Sequence, residues 1–316
     1  MSKNVLFLLG VVLVAALYPL MPSAFVTVGI TVFLFTGWAS SWNLLGGWAG
    51  QLSLGHASFV GLGAYIVAIG ATQFGLAPWW SILIAMAVAA VLAAIWGKLT
   101  FGLRGPYFSL STIAIAEIMR LVAINEGWLT GGASGVFIDS LAEPFGLDLF
   151  DKNVQYYLAL IYAALTVGIT IFISSRRFGY QLKAVRDNEE AAMAAGINPT
   201  TVKLKAFVVS GVLTALGGGI YGIFLSFIEP HLIFNLLLSI QIALTVIIGG
   251  RGTIWGPAVG AALLVISGEV FRTAFAQANL LVYGVLILVV ILVLPRGVVG
   301  EYAHSMVRRK YAKNRA

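Results

Sequence analysis

Apolar residues run in long blocks along almost the whole chain, and polar residues or Gly/Pro pairs separate them into ten segments, near 5–21, 24–45, 52–74, 79–97, 106–124, 154–174, 204–227, 232–249, 256–275 and 279–298. A helix rising about 1.5 Å per residue needs about 20 mainly apolar residues to cross roughly 30 Å of hydrocarbon. The pattern therefore predicts an all-α polytopic membrane protein of about ten transmembrane helices, forming a single domain over 1–316. Lys3 ahead of the first block has the form of a signal peptide, but no small-residue cleavage site is clear and a second block follows at once. The first block is read as a retained helix.

Three interruptions break the blocks. The widest lie at 125–153 and 175–203, and the third is a glycine-rich run around GGWAGQLSLGHASFVGLG, starting at Gly46. With both termini in the cytoplasm, all but Arg120, Lys152 and Arg272 of the 19 Lys and Arg residues fall on inner loops and ends, as the positive-inside bias requires. The 125–153 loop then lies outside and carries Glu126, Asp139, Glu143, Asp148 and Asp151. Its acids suit basic residues on a soluble binding protein, though a solvated connector reads equally well.

Composition agrees with a bilayer as solvent: 60% of the residues are hydrophobic and 10% charged, against about 25% charged in a soluble domain. The net charge of +7 follows from the topology, and the basic tail at 300–316 is an anchor at an anionic lipid leaflet rather than a nucleic-acid site. The absence of cysteine excludes disulfides and thiolate metal sites, and His56, His231 and His304 have no metal-binding spacing, so no metal is expected.

The inner interruption contains RDNEEAAMAAGINPT at 186–200. Its Ala, Glu and Met content favours a short helix, Gly196 offers a stop and Asn198-Pro199 blocks continuation. Leu182, Val185, Ala192 and Met193 form a narrow apolar face suited to a groove on a soluble partner. A surface helix joining two spans is the plain alternative.

The glycine-rich run is too flexible for one rigid helix. Irregular backbone at membrane depth is tolerated where protein or a water-filled cavity satisfies it, and broken helices of this kind form transporter substrate sites. Gln51, Ser53, His56 and Ser58 are therefore candidate pathway residues. Close helix packing through small residues explains the same composition, with His56 bonded to a neighbouring helix. Two carboxylates fall inside apolar blocks, Glu117 with Arg120 and Glu269 with Arg272. The i,i+3 spacing predicts ion pairs within one helix, near its outer end and turned toward protein. Gly105-Pro106 precedes the first pair much as Gly256-Pro257 precedes the second, a weak sign of an internal repeat.

Glu190-Ala191-Ala192, three further residues and Gly196 are similar to the EAA-x-x-x-G core of ABC importer permeases, although the usual downstream I-x-L-P is absent. Together with GWAGQLSLGHASFVGLGAY at 47–65, LTGGASG at 129–135, FGYQLKAVRDNEEAAMAAGIN at 178–198 and GGRGTIWGPAVGA at 249–261, the pattern resembles the branched-chain amino-acid importer permeases of LivM type. Urea and short-amide permeases share most of these motifs. The resemblance implies a second homologous permease subunit, two ABC ATPase subunits that hold ATP and Mg, and a soluble substrate-binding protein. It assigns Arg186, Asp187, Glu189, Glu190, Ala191, Ala192 and Gly196 to ATPase coupling. No GxxxxGK[ST] occurs in this chain, so it is expected to be a transporter subunit without catalysis or cofactor of its own. An ion-coupled secondary transporter is the competing class, and would use the intramembrane carboxylates as proton relays.

Overall fold

A computed structural model describes residues 22–103, 105–138, 147–274 and 297–301, with Val12 and Gly284 as isolated positions. The expected first span, most of the last one and the basic tail lie outside the described residues, as do Asp139 and Glu143.

Helix starts are set by residues that remove or satisfy the free amides of a first turn. Proline occupies the first turn of α3 (Pro78–Thr100), α4 (Pro106–Asn125), α9 (Pro199–Leu225) and the short α10 (Pro230–Ile233). Side-chain caps open others: Asp151 accepts from the Asn153 amide at α6 (Lys152–Ser174), and Asn235 from the Leu237 amide at α11 (Leu236–Gly249). The remaining long helices are α1 (Ser23–Asn43), which runs into a π-helical turn at Leu44–Trp48, then α2 (His56–Phe74) and α12 (Gly256–Ala274).

Among the described residues seven stretches are long and apolar enough to cross a membrane: Phe25–Trp48, His56–Phe74, Pro78–Thr100, Pro106–Asn125, Lys152–Ser174, Pro199–Leu225 and Pro230–Gly249. The expected span at 256–275 is present as the helix α12 but is not among them.

In the bundle, α9 packs on both α2 and α3, and α1 packs on α6 and α12. Val60 and Ala64 of α2 meet Ile220 and Ile223 of α9 in the core that also buries Trp38 and Trp42. The α2–α9 contact depends on missing side chains. A methyl group at Gly218 would stand 2.8 Å from Val60 Cα, and one at Gly63 would stand 2.8 Å from the Gly219 amide nitrogen. Small residues let membrane helices approach this closely, so dispersion contacts replace the hydrophobic effect that lipid does not supply.

One element departs from the all-α expectation. The interruption at 125–153 holds α5 (Gly127–Thr130), a 3₁₀ turn at Gly132–Ser134 and a two-residue strand β1 (Val136–Phe137), which pairs antiparallel with β2 (Phe227–Ile228). The Phe137 and Phe227 rings lie 4.2 Å apart across the ribbon. This ties the loop after α4 to the loop after α9.

Gly218→Leu is expected to force α2 and α9 apart at a cost of about 1–3 kcal/mol or more. Gly168→Ala in α6, where a methyl group meets nothing within 4 Å, should instead be neutral or gain up to about 1 kcal/mol of helix propensity. Thermal unfolding of the detergent-solubilised protein checks the contrast.

Candidate coupling and pathway sites

The insert at 175–203 forms two helices where the sequence predicts one. Helix α7 covers Arg177–Asp187 and α8 covers Glu189–Ala194, and between them Asn188 is extended at φ −160° and ψ 112°. The Asn188 side chain caps α8 by accepting from the Ala191 amide at 3.0 Å. An Asn that bonds the following turn competes with continued helix at its own position, which is why the break falls there. Gly196, at φ 79°, ends α8. Its amide donates to the Met193 carbonyl, and the Ile197 amide to the Ala192 carbonyl, each at 2.9 Å.

The expected apolar docking face is not offered outward. Leu182, Val185 and Ala192 are buried in the protein's own core beside Leu44, Leu45, Trp48 and Phe207, whereas Met193 is 52% exposed. Besides Met193 and Tyr180, α7 and α8 expose Arg186, Asp187, Glu189, Glu190 and Ala191, and Gly196 is exposed just beyond α8. Glu189 pairs with the buried Lys203 of α9, which fastens α8 to the start of that helix.

Arg186 reaches from the end of α7 into the bundle. Its Nη1 donates to the Gly47 carbonyl in the π-turn at 3.3 Å, and its Nε to Asp187 Oδ1 at 2.9 Å. The Lys183 ammonium lies 5.3 Å from the centre of the Trp48 ring, close enough for cation–π attraction. Trp48 Nε1 donates to the Gly252 carbonyl at 3.0 Å. Asn43 uses both ends of its amide on the same loop, donating to the Thr253 carbonyl at 2.7 Å and accepting from the Gly252 amide at 2.9 Å. Three segments far apart in sequence, at 43–50, 183–187 and 252–253, thus meet at one junction. Sequence reasoning missed Asn43, Trp48 and Lys203; polar or aromatic residues bordering apolar blocks were the available signal.

Beyond the π-turn the chain is non-helical from Gly50 to Gly55. Side chains from other segments bond this backbone: Trp42 Nε1 donates to the Ser53 carbonyl at 2.7 Å, Ser109 Oγ to the Leu52 carbonyl at 2.7 Å, and the Leu54 amide to Thr112 Oγ1 at 3.0 Å. Of the candidate pathway residues, Gln51 is half-buried, while Ser53, His56 and Ser58 are buried in packed protein. His56 Nε2 lies 2.8 Å from Ser210 Oγ on α9, and Nδ1 lies 3.1 Å from Ser53 Oγ. Ser210 Oγ donates onward to the Ser41 carbonyl at 2.7 Å. Its one proton is thereby used, so His56 carries its proton on Nε2 and accepts from Ser53 on Nδ1. The arrangement joins α1, the broken segment and α9 through one imidazole.

Both i,i+3 ion pairs form within their helices. Arg120 Nε donates to Glu117 Oε2 at 2.9 Å, and Arg272 Nε to Glu269 Oε2 at 3.0 Å, each with a second bond from Nη2. On this chain alone the Glu117 side chain is 50% exposed and that of Arg272 66%, so neither pair is enclosed by the chain's own bundle. Glu117 also sits near the middle of α4 rather than at its outer end. Each helix buries its small and apolar stripe, which rotates the charged positions outward. Gly105-Pro106 and Gly256-Pro257 each stand at a helix start, those of α4 and α12.

Ser210→Ala leaves the Nε2 proton of His56 without its acceptor, and the variant should lose about 1–3 kcal/mol of stability. Thermal unfolding compared with Ser111→Ala, a half-buried hydroxyl bonded only within its own helix turn, reads the difference.

The family profile described as branched-chain amino acid transport system / permease component matches residues 23–294. The high-affinity branched-chain amino acid transport system permease protein LivM of Salmonella typhimurium is 27% identical, over 93% of this chain and 75% of that protein. LivH of Escherichia coli, the corresponding permease protein of that name, is 24% identical over 87% of this chain and 93% of its own length. The autoinducer 2 import system permease protein LsrC of Enterobacter is 29% identical over 68% of this chain and 62% of that protein. No solved structure matches the chain. Permease relatives and seven apolar helices together make this a multi-pass inner-membrane protein. With a match that spans well over half its length, the chain belongs to the branched-chain amino acid transport system permease family.

Proposed function

We propose that this chain is one of two permease subunits of an ATP-driven importer, that it has about ten spans with both termini in the cytoplasm, and that it moves branched-chain or related apolar amino acids delivered by a soluble binding protein. The observation that carries the reading is the junction of the exposed EAA-x-x-x-G helix with the broken pathway helix. Glu190 and Ala191 are exposed on α8 and Gly196 just beyond it, and Arg186 at the end of α7 bonds the Gly47 carbonyl in the π-turn. The relatives' names support the substrate class.

In this reading two ATPase subunits bind ATP and Mg and dock on α8. Their approach pushes α7 and α8, and Lys203 passes part of the displacement to α9 through its pair with Glu189. Arg186 passes the rest to the π-turn. A π-turn has looser hydrogen bonding than a regular helix and is a natural place to yield. Helices α1 and α2 on its two sides can then tilt with respect to each other and open the pathway alternately to the two faces of the membrane.

Replacing Glu190 and Gly196 together by Ala is expected to leave membrane insertion intact while the ATPase subunits no longer co-purify and ATP-driven uptake falls to background. Uptake at the unaltered rate by the double variant would overturn the coupling assignment, and uptake by this chain alone on an ion gradient would replace the importer reading with a secondary transporter.

A further inference from the structure

We propose that the outward face of α4 carrying Glu117 and Arg120 lines the translocation pathway and recognises a zwitterion, an ammonium and a carboxylate on one carbon, attached to an aliphatic side chain. The inference rests on the importer reading above and adds to it the residues that meet the substrate.

Helix α4 turns Phe108, Thr112, Ala116 and Ala123 into the bundle. On the opposite face Leu110, Glu117, Ile118 and Leu121 are exposed. At a rise of about 1.5 Å per residue, Glu117 lies about 16 Å from the Pro106 end of a helix some 30 Å long, close to mid-membrane. A face of this kind turned to lipid would place a half-exposed ionised pair in hydrocarbon, where charged residues are costly and are found facing bundle interiors or water-filled cavities. The face is therefore turned to water or to protein outside this chain, and the proposed importer supplies both where two permease subunits enclose a pathway.

The pair is built to hold its shape. Arg120 donates through Nε and Nη2 to the two carboxylate oxygens of Glu117, and Nη1 lies 2.8 Å from Nδ1 of His231 on α10. These contacts use three of the five N–H donors of a guanidinium, and two of about four lone-pair positions on a carboxylate. Arg120 retains donors for a ligand carboxylate and Glu117 retains lone pairs for a ligand ammonium. The pair is neutral overall, so a neutral zwitterion adds no uncompensated charge at mid-membrane, whereas a simple amine or a simple carboxylate would. Leu110, Ile118 and Leu121 provide the apolar surface beside it for an aliphatic side chain.

The chain has no cysteine, so Leu121→Cys introduces its only thiol. The test uses the fully assembled transporter in proteoliposomes, with labelling of this chain by a membrane-impermeant cationic thiol reagent followed as a rate. The proposal expects labelling, slowed by leucine supplied with the binding protein and not slowed by isopentylamine, the same skeleton without its carboxylate. Adding Glu117→Gln and Arg120→Gln should keep the labelling, abolish the leucine protection and lower ATP-driven leucine uptake by about tenfold or more. Glu117→Asp, which keeps the charge, should retain measurable protection and guards against a variant that merely fails to fold. Absence of labelling at Leu121→Cys, or protection that persists in the Gln variant, overturns the site while wild-type uptake leaves the importer reading standing. Failure of the wild-type assembly to take up any aliphatic amino acid with ATP overturns both.

Discussion

Backbone amides and carbonyls packed inside protein have no water to bond, and the segment from Gly50 to Gly55 is a place where this chain meets that constraint outside a helix. The solution draws on the whole bundle. Trp42 from α1 and Ser109 and Thr112 from α4 each bond one backbone group of the segment. Once these residues are committed to the broken backbone, the positions of α1, α2 and α4 relative to one another are fixed. His56 at the start of α2 then reaches Ser210 and brings α9 into the same set. An irregular stretch that would be a liability in lipid becomes the point at which four helices are registered.

The same economy appears at the junction beneath it. Asn43, the last residue of α1, closes the helix against the 252–253 loop with both ends of its amide, and Trp48 closes the π-turn on the same loop. Arg186 enters this closed arrangement from outside, from a helix whose own apolar side is buried against Trp48 and Leu45. A displacement of α7 therefore has few soft contacts in which to dissipate before it reaches the π-turn. At the other end of the bundle the β1–β2 ribbon joins the loops after α4 and α9. The proposed pathway residues on α4 lie between these two braced ends.

Much of this was legible in the sequence, for identifiable reasons. Apolar blocks of the length of a bilayer gave seven spanning helices because length and hydropathy are properties of the segment alone. The i,i+3 spacing gave the bonding of Glu117 with Arg120 and of Glu269 with Arg272 for the same reason. Their outward direction was not legible, since it depends on which stripe of each helix finds a neighbour. The break at Asn188 was hidden by the helix-favouring residues on both sides, which outweigh one Asn in any propensity sum. The burial of Leu182 and Val185 follows from tertiary packing that an amphipathic pattern cannot assign to one partner over another. Nor could spacing reveal that His56 would be shared between Ser53 and Ser210, residues separated by about half the chain.

The central claim is that displacement of the cytoplasmic insert reaches the pathway through Arg186 and the π-turn. Its most direct measurement is ATP hydrolysis and amino-acid uptake, recorded together in proteoliposomes of the assembled transporter carrying Arg186→Ala, with the exposed Glu190 surface left unchanged. The account predicts that hydrolysis continues while uptake collapses, because the ATPases still dock and the link to Gly47 is gone. Uptake per ATP equal to that of the unaltered transporter would contradict it.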